Sequence, residues 1–247
     1  LFLPEEGKQW GSFDYSQQEP RLVAHYAASV NEDFSGADEF IEAYKNEAAD
    51  FHQIVADMAG ISRTQAKTIN LGLFYGMGKA KLSKELGISK DAAENLLNKY
   101  HTRVPFVKRL AEAVTGSASK YGFIRTIKGR KCRFDMWEPA TFGMNKAMQY
   151  EEAKAIYGNN IRRAFTYKAL NRLIQGSAAD QTKQAMINCS KNGFEPLLQI
   201  HDELCFSINS EKDINSVKQI MENAIEDLKV PFKVDVALGR SWGEAKE

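Results

Sequence analysis

The chain has 247 residues, 43% of them hydrophobic and 26% charged, with a net charge of +1; this is the balance of a globular domain with a sizeable core and excludes a disordered or low-complexity polypeptide. No apolar run is long enough to span a bilayer, so no membrane partner is expected, and no signal-peptide pattern opens the chain. The three cysteines, Cys132, Cys189 and Cys205, are odd in number, far apart and without a CxxC pair, which argues against a disulfide framework or a thiolate zinc site and for a reducing, intracellular compartment.

The small net charge conceals a strong segregation. Residues 1–60 carry 3 Lys/Arg against 12 Asp/Glu, residues 61–133 carry 16 against 4, and the remainder 14 against 16. A basic middle between acidic flanks predicts one surface for a polyanion and another rich in carboxylates.

In chain order, residues 8–14 (KQWGSFD) predict a short strand, because Trp10, Ser12 and Phe13 suit a pleated surface and Gly11 interrupts a helix. Asp14 falls at its end. The following SQQEPRLVAHYAAS reads as a helix with Ser16 as N-cap and Pro20 in the first turn, which leaves Glu19 beside the strand end. Phe40, Ile41, Tyr44, Ala48, Phe51, Val55 and Met58 recur with helical period, predicting one helix from 37 to 58 that ends near Gly60.

Ser62 caps the next predicted helix. On it Arg63, Lys67, Asn70, Leu71, Phe74 and Tyr75 recur at spacings of three and four and share one broad face, cationic at its start and aromatic at its end. Two cations on one face repel slightly, an arrangement that makes sense if a polyanion lies across them; Arg offers a planar fork for phosphate oxygens and Lys a mobile point charge.

Further helices are expected at 79–86, 89–101 and 105–121, the last opened by Pro105, with Gly87 and Gly122 as helix ends. Residues 122–135 (GFIRTIKGRKCRFD) alternate apolar and basic residues around Gly129 and predict a cationic hairpin or loop that includes Arg130. Helical patterns follow at 143–164 and 166–191. LLQIHDELCFSIN predicts two strands with His201 and Asp202 at the bend; a helix at 211–228 and a last strand, PFKVDVALG, complete the pattern. The expected fold class is α+β, a helical block of about 130 residues inserted between strands of one sheet.

Three segments carry a family resemblance. The spacing Arg63, Lys67, Tyr75-Gly76, the run Asp14-Tyr15-Ser16-Gln17-Gln18-Glu19-Pro20-Arg21 and the run Gln199-Ile200-His201-Asp202-Glu203-Leu204 occur in the order, and with the residue types, of the motifs of family A DNA polymerases. The chain resembles that family over nearly its whole length. The resemblance implies an antiparallel palm sheet with a large inserted helical fingers subdomain, the palm formed by 1–33 and 165–247 and the fingers by 34–164. It also implies a monomer that acts on primer-template DNA and deoxyribonucleoside triphosphates. A thumb and often an exonuclease precede this portion in the family, and the absence of an initiator Met suggests a piece of a longer polypeptide.

Nucleotide addition is an in-line phosphoryl transfer in which positioning and charge neutralisation dominate. Two Mg²⁺ ions, replaceable by Mn²⁺, need carboxylates at adjacent strand ends. By resemblance, Asp14 and Asp202 are the metal-binding aspartates, joined by the Tyr15 carbonyl, with Glu203 an outer carboxylate. Arg63 and Lys67 hold the triphosphate, Lys67 also serving to protonate the pyrophosphate, and Gln17 and His52 add phosphate contacts. Tyr75 closes over the nascent base pair, Glu19 walls off the sugar 2′ position, and Leu71 lies beneath the sugar. His201 lies near the primer end, and Asn171, Gln175 and Gln199 probe the minor groove, where acceptors are nearly independent of sequence; Arg130 is a further DNA contact.

Three departures stand out. Leu71 replaces the usual Phe or Tyr, Gln18 and Pro20 replace Ile and Leu, and the connection from Gly60 to Arg63 is short. The second makes the chain resemble phage-like or organelle-type branches more than the usual bacterial repair enzyme.

Overall fold

The structure, a computed structural model, describes residues 2–30, 37–45, 50–74, 77–141, 143 and 146–246. Its fold is α+β and is organised around one strand, β1 (Gln9–Tyr15). On one side β1 pairs with β7 (Glu203–Ile208), which pairs in turn with β6 (Leu198–Ile200); on the other it pairs with β8 (Val234–Gly239). The order is β6-β7-β1-β8 and every neighbour is antiparallel. Strands from the two ends of the chain therefore share one sheet, as the sequence pattern predicts.

The period of two sets what each face does. Phe13, Leu204, Phe206, Ile208 and Val234 are buried in the main core, with the Phe13 and Phe206 rings edge to face at 5.5 Å. The alternate residues Trp10 and Cys205 form a smaller cluster with Ala245, against which Trp242 packs.

The helices form largely where expected, and the departures have local causes. α1 runs Gln18–Val30, so Pro20 sits in its first turn. Ser16 is not its N-cap: the reversal after β1 is made by Gln17 in the left-handed region, φ 52°. The predicted helix 37–58 is two helices, α2 (Ala37–Lys45) and α3 (Phe51–Ala59), with 46–49 outside the described residues. Asp50 starts the second, its Oδ1 accepting from the backbone N of His52 at 2.9 Å and of Gln53 at 3.2 Å.

α4 (Arg63–Phe74) opens on a reciprocal cap. Ser62 Oγ accepts from Gln65 N at 3.2 Å, and Gln65 Oε1 accepts from Ser62 N at 3.0 Å. Next come α5 (Lys79–Leu86), α6 (Lys90–Arg103) and α7 (Pro105–Tyr121). The cationic hairpin is β2 (Phe123–Arg125) paired with β3 (Lys131–Arg133).

The region 143–164 is not one helix. α8 covers Tyr150–Tyr157 only, and it stops at Gly158, φ 61°; flanking residues pair instead as β4 (Trp137–Pro139) with β5 (Ile161–Arg163). The inserted segment thus contains two small sheets as well as helices. α9 (Ala169–Lys191) packs against α1 and α7, and α10 (Glu211–Glu222), capped by Ser210, ends before the predicted 228. No helix among the described residues is long and apolar enough to cross a membrane.

Gly11 does more than forbid a helix. A Cβ there would stand 2.7 Å from Ile208 Cγ1 and 2.8 Å from the Phe13 ring, both in the core. Gly11→Ala is expected to destabilise the fold by about 1–3 kcal/mol through overpacking, read as a lower midpoint with unchanged slope in urea unfolding; an unchanged midpoint would mean the sheet relaxes freely at this point.

Candidate active site

The site grows from the end of β1. Asp14 lies between two acidic neighbours, in register with Glu203 on β7 and Asp235 on β8. Asp202 occupies the turn between β6 and β7, where His201 adopts φ 53°, and its carbonyl accepts from Tyr15 N at 3.3 Å. The turn residue is thereby fixed beside the strand end. Asp14 Oδ1 is buried and has no hydrogen-bond partner among the described residues.

The electrostatics follow from that crowding. Burial first, and then the charge of Asp202, push the Asp14 carboxyl up from 3.8 to about 6; burial likewise raises Asp202. Burial alone would raise Glu203 too, but hydrogen bonds from Lys246, Ser12 and Cys205 outweigh it and hold the group below its usual range. Its Oε2 lies 2.8 Å from Lys246 Nζ, and its Oε1 accepts from Trp242 Nε1 at 3.4 Å. Glu203 is therefore a buried anchor for the C-terminal segment and not a solvated turn residue.

A cavity of about 680 Å³ opens beside these carboxylates. Its lining brings together Gln17, Glu19, His52, Lys67, Gln175, His201 and Asp202, seven of the residues singled out in the sequence. Gln17 Oε1 accepts from Phe51 N at 2.9 Å, which ties the α1 turn to the start of α3. His52 is almost fully buried; burial pushes its pKa down, and the nearby Arg63 and Lys67 add to that against the opposing charge of Asp50.

Other expected site residues lie elsewhere. Arg63 is absent from the cavity lining: its Nε and Nη2 both contact Asp50 Oδ2 at 2.7 Å. Asn70 does not share the exposed face of Arg63 and Lys67 but is completely buried, because it follows Ala66 and Ile69 on the core side of α4. Arg130 donates to Asp180 Oδ1 and to the Gly176 carbonyl, each at 2.9 Å. Asn171 is half-buried one turn before the exposed Gln175 on α9, and Gln199 is exposed, its Nε2 donating to the His201 carbonyl at 3.3 Å. The Leu71 side chain and all of Tyr75 lie outside the described residues.

Sequence reasoning did not single out Asp50, Tyr100 or Lys246. Asp50 was legible as a helix starter, acidic and two residues before His52; nothing local marks the other two, whose partners are distant in the chain.

A sheet that sets two carboxylates at one end, beside a cavity lined by Lys67 from a helix that lies between its strands in the chain, defines an α+β domain with acidic and basic groups meeting at one cleft. The model of DNA polymerase family A matches residues 1–244. The chain belongs to that family. It is 37% identical over 99% of its length to a DNA-directed DNA polymerase of Pseudomonas phage M6, and 34% identical over 99% to DNA polymerase I of Lactococcus lactis subsp. cremoris. It spans 40% of the phage protein's length and 27% of the bacterial one's. Among solved structures it resembles the POL domain of Pol1 from M. smegmatis in complex with DNA primer-template and dNTP, with a TM-score of 0.76 and 30% identity over 100% of this chain and 42% of that one.

Because the folded Asp14 pKa lies above the unfolded value, the stability its protonated form contributes is fully present below pH 3.8 and is lost as pH rises through about 6. Asp14→Asn should therefore stabilise the metal-free protein at pH 7.5 by about 1 kcal/mol, discounted for partial solvent screening, a rise in Tm of about 2–4 °C. The gain should vanish near pH 4. Thermal scans at the two pH values measure it, and a lower Tm for the variant at pH 7.5 would contradict the repulsion argued above.

Proposed function

We propose that this chain is the polymerising core of a DNA-directed DNA polymerase, transferring deoxyribonucleotides to a primer 3′-hydroxyl with release of pyrophosphate, in DNA replication or repair. The observation that carries this reading is the meeting of Asp14 and Asp202 beside a cavity that Lys67 and His52 line from the inserted segment. In this reading residues 1–33 and 165–247 are the palm and 34–164 the fingers, and the partners are primer-template DNA, deoxyribonucleoside triphosphates and the rest of a longer intracellular polypeptide.

Two divalent cations, Mg²⁺ or Mn²⁺, fit the acidic end. The buried Asp14 Oδ1 lacks a partner and the Asp14 carboxylate is destabilised by Asp202, so a cation would relieve both. Asp14, Asp202 and the Tyr15 carbonyl would hold the ions. Among the described residues no three His, Cys, Asp and Glu side chains converge to hold a metal, so Mg²⁺ held by these groups would have to take its remaining oxygens from phosphates and water. Bound there, the ions supply a lowered hydroxyl pKa and a counter-charge for the departing oxygens.

The protein groups do the rest. Lys67 pairs with the triphosphate and donates a proton to the leaving pyrophosphate; Gln17 and His52 orient its phosphates, and Arg63 joins them when released from Asp50. Glu19, on the cavity wall, excludes a 2′-hydroxyl by occupying the space it would need. Leu71 and Tyr75 complete the pocket for sugar and base, while Asn171, Gln175, Gln199, His201 and Arg130 contact the duplex.

Primer extension with Mg²⁺ tests this. Asp14→Ala and Asp202→Ala should each lower incorporation on the order of a thousandfold or more while primer-template binding persists; extension by the double variant at near the original rate would end the proposal. Separately, Glu19→Ala should raise ribonucleotide incorporation relative to deoxyribonucleotide by about 10-fold or more, measured by competing the two substrates on one template. Unchanged sugar selectivity would remove Glu19 from this role.

A further inference from the structure

Behind His52 lies a chain of buried polar groups that the proposed chemistry does not use. Tyr100 on α6 is fully buried, and its hydroxyl donates to Asn70 Oδ1 at 2.7 Å. Asn70 on α4, also fully buried, places its Nδ2 3.0 Å from His52 Nδ1. α6 and α4 are thus linked in one hydrogen-bonded chain to the Nδ1 edge of the imidazole carried by α3.

We infer that Asn70 and Tyr100 are positioning residues for a nucleoside triphosphate, holding His52 as the neutral tautomer with its proton on Nε2, the nitrogen left to the cavity. This rests on reading the cavity as a triphosphate site. The assignment follows from counting donors and acceptors. If the Asn70 amide were turned over, Tyr100 would accept instead of donate, and a fully buried hydroxyl proton would go unpaired. With the amide as found, its carbonyl is occupied by Tyr100 and its NH₂ faces His52. Nδ1 must then accept, so it carries no proton, and the ring proton sits on Nε2.

The surroundings agree. Burial, with Arg63 and Lys67 nearby, disfavours the imidazolium, and Asp50 fixes the His52 backbone through the α3 cap. A neutral N–H donor orients a phosphate oxygen without adding another cation to a wall that already holds Lys67. Asn70 also stands one turn from Lys67 on α4, so the same helix positions the point charge and, indirectly, the oriented donor.

Long-range ¹⁵N–¹H spectra of the labelled chain, with dATP titration, test the inference. The unaltered chain should show His52 protonated on Nε2. Asn70→Asp presents an acceptor to Nδ1 and should move a proton onto it; Tyr100→Phe frees the amide to turn and should give mixed tautomers. Both should weaken dATP binding, Asn70→Asp by about three- to tenfold and Tyr100→Phe by less. A proton on Nδ1 in the unaltered chain, an unmoved tautomer in the variants, or unchanged dATP affinity despite a moved proton each overturns it. If Asn70→Asp does not fold, Tyr100→Phe alone decides by the same criteria. Loss of primer extension by the unaltered chain, with dATP affinity still following the His52 tautomer, would defeat the polymerase reading and leave this one standing.

Discussion

Everything at the acidic end depends on the register of β1 against β7. Phe13 opposite Leu204 and Gly11 opposite Phe206 put one face of both strands into the core, and a slip of one residue would turn every one of those side chains outward. Hydrophobic burial therefore fixes the pairing, and the pairing fixes Asp14 beside Glu203 with the Asp202 turn just beyond. The Tyr15 N to Asp202 carbonyl bond continues the ladder to the turn. Two carboxylates that repel are brought together by forces that have nothing to do with charge.

The charged groups around the cavity fall into two kinds. Glu203 is paired with Lys246, Arg130 with Asp180 Oδ1 and Arg63 with Asp50, so each of these three charges has an opposite charge within the protein. Asp14 is not so paired among the described residues: its pKa rises because burial and Asp202 oppose ionisation, and one of its oxygens is left bare. Burial, helped by Arg63 and Lys67 against the opposing charge of Asp50, lowers the pKa of His52. A carboxyl whose burial and like-charged neighbour both oppose ionisation, beside a cavity, is the kind of group in which perturbed titration accompanies binding or catalysis.

Most of this was legible in the sequence where the signal is local. Residues suited to a pleated surface marked β1, alternation marked β7, the bend marked His201–Asp202, and the cap at Ser62 marked the start of α4, whereas Ser89 and Ser210 cap α6 and α10 without having been singled out. The sequence pattern misled where a helical period survived a break: Phe51, Val55 and Met58 continue the phase of Ile41 and Tyr44, yet Asp50 starts a new helix by capping it. It misled again at 143–164, where pairing of β4 with β5 overrides helical preference outside α8. Asn70 was assigned to the outer face because a 100° step per residue does not say where the core begins; its burial is decided by Tyr100, thirty residues away.

The departure at Gln18 shows how such a substitution is accommodated. The side chain is buried, and its Nε2 donates to Ala178 O, Gln181 Oε1 and Thr182 Oγ1 at 3.3, 3.1 and 3.2 Å, all on α9. A buried polar group at this position is tolerable only because α9 meets it with acceptors. That helix also receives two of the three guanidinium nitrogens of Arg130 at Gly176 and Asp180, and Ser177 Oγ accepts from Ile127 N at 3.1 Å. α9 is thus the beam to which both the β1–α1 turn and the cationic hairpin are fastened. Asn171 and Gln175 project from the same helix, so the spacing between the acidic end, the hairpin and these amides is set by one rigid element, and a displacement of α9 would disturb all three together.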